Sequence, residues 1–166
     1  MKILHVGIFQ DHDLGGDIVL KKGFEQNQCQ VTAFDYRKLQ KQVGKDEMNK
    51  QLLKESEGKD LVFVGKGEII SPETFRIIRK RNTLTAIWYG DFRPKPPPWL
   101  VGLLQHTDFF FMTSGGDTLK TYAEAGIQRA AAFFLNPSDP DLVKSFDLRQ
   151  KKSGVLFTAT PYYFAG

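Results

Sequence analysis

Six short apolar runs recur along the chain, at residues 3–9, 31–34, 61–64, 84–88, 109–112 and 130–135. Each is nearly continuous in its apolar character, the pattern of a strand covered on both faces. Between them, residues 17–27, 47–56, 72–81, 99–106 and 118–125 carry apolar positions at helical spacing. In the first, Ile18, Leu20 and Phe24 can share a face; in the third, Phe75, Ile77 and Ile78 can. Ser71-Pro72-Glu73 predicts a helix start, with serine as the cap and proline in the first position. Asp17 stands where the first helix needs its N-cap.

Strand-helix-strand alternation with short connections predicts right-handed crossovers, hence an α/β domain with a mostly parallel sheet and helices on both faces. Ligands bind such sheets outside the carboxyl ends of the strands. The loops at 10–16, 65–70, 89–98 and 113–117 are therefore the ones to inspect. Arg93-Pro94-Lys95-Pro96-Pro97-Pro98 predicts a stiff loop inside the domain. Residues 155–160 form one more apolar run after Lys151-Lys152-Ser153-Gly154 and lead into Pro161-Tyr162-Tyr163-Phe164. This predicts a domain over 1–150, followed at 151–166 by a linker and the first strand of a second, truncated domain.

Composition narrows the classes. Over 166 residues, 41% are hydrophobic and 25% charged, ordinary globular usage that excludes a disordered chain. The net charge of +4 comes from 23 basic and 19 acidic residues scattered along the sequence. It favours anionic ligands weakly and is no nucleic-acid signature. The single Cys29 excludes an internal disulfide and a multi-cysteine zinc site. MKILHVGIF is too short for a signal peptide, and no apolar run reaches the roughly 20 residues of a membrane span. The expected location is cytoplasmic.

Candidate chemistry gathers at the strand-to-helix junctions. Gly15-Gly16 precedes a helix, where free N–H groups favour anions; the alternative is a tight turn capped by Asp17. Within Asp11-His12-Asp13 the histidine sits between carboxylates, suited to acid-base work or an anion contact, or simply to water. His5 falls in a strand and belongs to the core. Lys66-Gly67-Glu68 places charges directly after a buried strand, as ligand contacts or as a mutual surface pair. Trp88-Tyr89-Gly90-Asp91 offers aromatic surface beside an acid, which suits a sugar ring or plain packing under the proline-rich loop. Ser114-Gly115-Gly116-Asp117 repeats the opening theme at the fifth strand. Neither G-x-G-x-x-G nor G-x-x-x-x-G-K-[ST] occurs at these junctions, and no nucleophile elbow is present. No metal site is expected.

In order, "MKILHVG", "GFEQNQCQVTAFDYR", "DLVFVGKGEIISPETFRIIRKR", "TAIWYGDFRP", "DFFFMTSGGDTLKTYAEAGIQRAAAFFLNPSDP" and "GVLFTATPYYFAG" resemble the N-terminal half of CgeB-like glycosyltransferases, the spore maturation protein type. The resemblance covers most of the chain and rests on the order and spacing of these segments. It implies a Rossmann-like three-layer domain, the acceptor-side half of a GT-B architecture. It also implies sugar transfer from a nucleotide diphosphate-sugar to an acceptor hydroxyl, with no further cofactor and no obligatory metal. Under it, Asp91 or His12 is the candidate base, and Asp13, Asp117 and Glu68 contact the acceptor. Lys66 and the N–H groups of Gly15 and Gly16 contact anionic groups. The family's second domain is missing here apart from its expected first strand, so the chain alone is expected to be inactive. The alternative is a stand-alone sugar- or nucleotide-binding module without catalysis; an apolar tail admits a homodimer. A flavodoxin-like signalling domain is a weaker third, since Phe109–Met112 is not followed by a lysine.

Overall fold

A computed structural model describes residues 1–9, 12, 13 and 15–141. The expected second-domain strand at 155–160 and the boundary at 150/151 lie outside the described residues, as does Asp11. Six strands form one parallel sheet: β1 (Lys2–Gly7), β2 (Gln30–Asp35), β3 (Leu61–Gly65), β4 (Leu84–Tyr89), β5 (Phe109–Met112) and β6 (Ala130–Phe133). Their order across the sheet is β2-β1-β3-β4-β5-β6. The helices are α1 (Gly16–Gln26), α2 (Tyr36–Val43), α3 (Lys45–Glu55), α4 (Pro72–Lys80), α5 (Pro98–Leu104) and α6 (Gly116–Ala123). This is the expected Rossmann-like α/β arrangement.

Alternation of side chains along each strand divides the core in two. On one face Ile3, Phe63 and Ala86 pack with Leu20 and Phe24 of α1. On the other, Leu4, Val6, Val62, Val64 and Ile87 meet Tyr36, Met48, Leu52, Phe75, Ile78, Leu103 and Tyr122 from α2 to α6. Leu52, Ile78 and Leu103 are wholly buried, so truncating any of them to alanine costs about 2–5 kcal/mol.

Three local expectations are corrected. Helix α2 was not expected at all. It starts without a loop, because Asp35 ends β2 and also caps α2, its Oδ1 accepting Lys38 N–H at 2.9 Å. Gly44, at φ +84°, then serves as C-cap of α2 and N-cap of α3, a conformation open to glycine. Ser71 does occupy the N-cap position of α4, but its hydroxyl makes no capping bond. Asn49 of α3 serves that turn instead, its Oδ1 accepting Ser71 N–H at 2.9 Å and the Thr74 hydroxyl at 2.8 Å. Asp17, the third case, shapes the site.

The proline-rich loop is fixed as expected: Pro97 and Pro98 open α5, and the Tyr122 hydroxyl donates to the Arg93 and Lys95 carbonyls at 3.2 and 3.1 Å. Among the described residues, no helix is long and apolar enough to cross a membrane.

Candidate functional site

The connections leaving β1 and β3 run in opposite directions across the sheet, so the carboxyl ends of these two strands flank the crevice where such folds receive ligands. A carboxylate of the chain itself fills that crevice. Asp17, in the first turn of α1, turns back over the strand ends. Its Oδ2 accepts Ile8 N–H at 2.7 Å, and its Oδ1 accepts from His5 Nε2 at 3.0 Å. It is therefore not the N-cap; Gly15 holds that position, with no side-chain capping bond. Two glycines make the room. A Cβ on Gly7 would lie 2.6 and 2.7 Å from the Asp17 oxygens, and one on Gly65 would overlap Oδ1 outright. The same bond to Asp17 ends β1 at Gly7, two residues before the apolar run stops.

His5 is fully buried, as expected of a core residue, and its ring is met edge-on by Phe9, Phe24 and Phe63 at 5.2–5.8 Å. Its Nδ1 has no partner among the described residues. With an acceptor-only carboxylate at Nε2, the proton belongs on Nε2.

Beside this plug, at the ends of β3 and β4, opens a cleft of about 350 Å³. Ile8, Arg37, Lys66, Trp88, Asp91 and Asn136 line it, together with Asp17 and the backbone of Gly65 and Gly90. Lys66 is the distinctive member. It stands at φ +72°, a left-handed conformation that costs a side-chain-bearing residue roughly 1–2 kcal/mol. Gln28 and Asn82 share that conformation, but both lie just past helix ends, where it is ordinary. Lys66 instead follows a strand, donates its N–H to Trp88 O at 3.0 Å, and lays its ammonium on Asp91 Oδ2 at 2.7 Å.

Behind the cleft, Glu68 accepts the Tyr36 hydroxyl at 2.5 Å and pairs with Arg37, while Gly67 N–H donates to the Tyr36 oxygen at 3.3 Å. Burial, and then the bond to Glu68, push the Tyr36 hydroxyl well above the ordinary phenol range. The Lys66–Glu68 surface pair does not form: each charge has a partner from another element.

The structure thus gathers Lys66, Trp88 and Asp91 around one cavity, with Glu68 holding Arg37 at its wall. Gly16 lies against the Trp88 ring, where an added Cβ would make ordinary contact at 3.7 Å. Tyr89 is turned the other way. It is 1% exposed and packs on Trp99 and Tyr122, both with ring centroids 6.0 Å away. Burial and then the Asp91 charge push its hydroxyl up to about 12. His12 and Asp13 are exposed in the β1–α1 loop and do not line the cleft; the Lys22 ammonium is favoured chiefly by its bond to Asp139, with a smaller part from the Asp13 charge. Ser114, Gly115, Gly116 and Asp117 also lie outside the lining. Gly115 caps α6, and Gly116 and Asp117 open it. No group of three or more His, Cys, Asp or Glu is placed to hold a metal ion among the described residues.

Comparison with models of protein families, with curated proteins and with solved structures yields no match. The chemistry of the cleft must therefore carry the functional argument.

Sequence reasoning missed Arg37, Asn136 and the inward turn of Asp17. For Arg37 the signal was present, since Asp35-Tyr36-Arg37 directly follows a buried strand, as Lys66 does. An ammonium, a guanidinium, carboxylates, an amide and an indole surround one small space. That set can give and take hydrogen bonds around a ring of hydroxyls.

Proposed function

We propose that this chain is the acceptor-binding half of a glycosyltransferase, receiving a hydroxyl-rich acceptor to which a sugar passes from a nucleotide diphosphate-sugar. One observation carries the reading: a left-handed Lys66 holding Asp91 at 2.7 Å beside Trp88, at the carboxyl end of a parallel sheet. Strain kept at such a place favours a ligand-facing role over a structural one. The cations at the cleft are matched, Lys66 by Asp91 and Arg37 by Glu68, and Asp17 adds a further negative charge. Such a balance favours a neutral polyol over a bare diphosphate. It moves Lys66 from the expected anion contact to a hydroxyl contact.

In the inverting form of the reaction the acceptor hydroxyl attacks the anomeric carbon, the bond from that carbon to the diphosphate oxygen breaks, and the hydroxyl proton passes to a base. Asp91 is the carboxylate in the cleft for that task. His12 is the second candidate, from the loop. A binding module without turnover is the other reading, favoured by the Lys66 ammonium lying on the Asp91 carboxylate that a base would use.

The test titrates a panel of saccharides into the chain, then joins the chain to a donor-side half, supplies nucleotide diphosphate-sugars and follows nucleotide diphosphate release. Asp91→Asn, at a half-exposed position, is expected to keep the fold and abolish release. Release retained in Asp91→Asn but lost in His12→Gln would make His12 the base. Saccharide binding by the chain, with no release even when the donor-side half is joined to it, selects the module. No saccharide binding at all refutes both readings.

A further inference from the structure

We propose that the opposite, amino-end edge of the sheet carries a second binding site, a cationic pocket for a small ligand bearing a phosphate monoester or diphosphate group. The pocket lies where β4, β5 and β6 begin and encloses about 360 Å³, within the size range of small-molecule sites. Arg76, Arg79, Lys80, His106, Asp108 and Arg129 line it. The first three lie three and four residues apart on α4, which puts them on one side of the helix.

Asp108 organises the cations. It is 2% exposed, and its Oδ2 accepts Thr85 N–H at 3.0 Å and the Thr85 hydroxyl at 3.1 Å. Its Oδ1 lies 3.1 Å from Arg79 Nε and 3.4 Å from Arg129 Nε. One buried carboxylate therefore brings two guanidinium groups side by side through their Nε atoms. No second carboxylate pairs with either among the described residues. Their terminal nitrogens carry the forked donors that match phosphate oxygens. Arg129 is further steadied over the Phe109 ring, 5.9 Å from its centroid.

Charge at the site is unbalanced. Arg76 is engaged by Glu73, so four cationic groups face two carboxylates there. His106 registers the excess: burial first, then the charges of Arg76 and Arg79, hold it below its ordinary pKa. Bringing like charges together is unfavourable until an anion joins them. The remaining basic residues are scattered along the chain, which argues for a small ligand and against a polymer track.

Inorganic pyrophosphate, titrated calorimetrically into the full chain at low salt, is the probe. Saturable binding is expected, weakening as salt rises and falling about tenfold with each of Arg79→Gln and Arg129→Gln. Lys66→Met, at the other edge of the sheet, should leave it unchanged. Arg129→Lys keeps the charge and loses the fork; it should bind several-fold more weakly with an unchanged far-ultraviolet spectrum, so the test survives if the glutamine variants unfold. The proposal is overturned if the unaltered chain shows no saturable binding, if the arginine variants bind as well as it does, or if Lys66→Met abolishes binding. A single-stranded oligonucleotide that displaces pyrophosphate at lower phosphate concentration would also overturn it, in favour of a nucleic acid.

Discussion

Gly65→Ala tests how the crevice is filled. A Cβ at this position overlaps Asp17 Oδ1 and comes within 2.8 Å of Cγ and 2.9 Å of Oδ2, so the carboxylate must leave. It then gives up the bonds to Ile8 N–H at 2.7 Å and to His5 Nε2 at 3.0 Å, and strands a buried imidazole donor. Losing two hydrogen bonds to a buried carboxylate and stranding their donors costs about 3–5 kcal/mol in all. Alanine in a strand recovers about 0.5–1 kcal/mol of that. The net expectation is a loss of about 2–4 kcal/mol, large against the roughly 5–15 kcal/mol that stabilise a domain.

The decisive assay is a double-mutant cycle, with stability read from urea midpoints at constant slope. Once Asp17→Ala has removed the carboxylate, the three atoms nearest the Gly65→Ala Cβ are gone, and the substitution should be neutral or stabilising by up to about 1 kcal/mol. Gly7→Ala should behave the same way, because its Cβ also meets the Asp17 oxygens. Additive losses in the cycle, or a neutral Gly65→Ala in the unaltered chain, would refute the account of Asp17 as the plug.

Two further outcomes follow from single residues. Lys66→Gly relieves a left-handed conformation worth roughly 1–2 kcal/mol, forfeits a half-exposed ion pair worth about 0.2–1 kcal/mol and adds about 0.5–1 kcal/mol of chain entropy to the unfolded state. The urea midpoint should barely move while saccharide binding falls; a clear loss of stability with binding intact would make Lys66 structural. His106 is held below its ordinary value of 6.5 by burial and by Arg76 and Arg79, so the unfolded chain takes up its proton more readily than the native one. Stability should therefore fall as pH drops below about 6.5, and His106→Gln should flatten that slope in urea midpoints measured across the window.

Every strand was legible as a local event, four or more apolar residues bounded by turn residues, but only the four central ones are buried as expected; β2 and β6, at the sheet edges, are mostly half-buried or exposed. Helix α2 was not legible. It turns only Tyr36 fully into the core, shares Asp35 with the preceding strand, and so lacks both the wide apolar stripe and the loop that mark a helix. Local rules misplaced Asp17 and Ser71 for one common reason. An acid in a first helical turn, or a serine before a proline, does cap when nothing better is in reach. Here His5 and Ile8 N–H, brought in by β1, outbid the helix for Asp17, and Asn49 from α3 takes over the turn at Ser71. Lys66 and Asp91 were legible as residues after buried strands. Their pairing was not, since it depends on β3 and β4 lying side by side.

The two edges of the sheet divide the electrostatic work. At the carboxyl edge Lys66 and Arg37 face Asp91, Glu68 and Asp17, three carboxylates against two cations. At the amino edge four cations face Asp108 and Glu73. An anion approaching the crevice between β1 and β3, the usual phosphate position of such sheets, meets the Asp17 carboxylate where its own oxygens would sit. Ligand space is displaced toward β4 and Trp88, where hydroxyls find paired donors and acceptors. Under the two proposals, the neutral, hydroxyl-rich acceptor belongs at one end of this domain and the small phosphate ligand of the second pocket at the other. Replacing Asp17 with asparagine should shift that partition, letting pyrophosphate compete for the carboxyl edge as well.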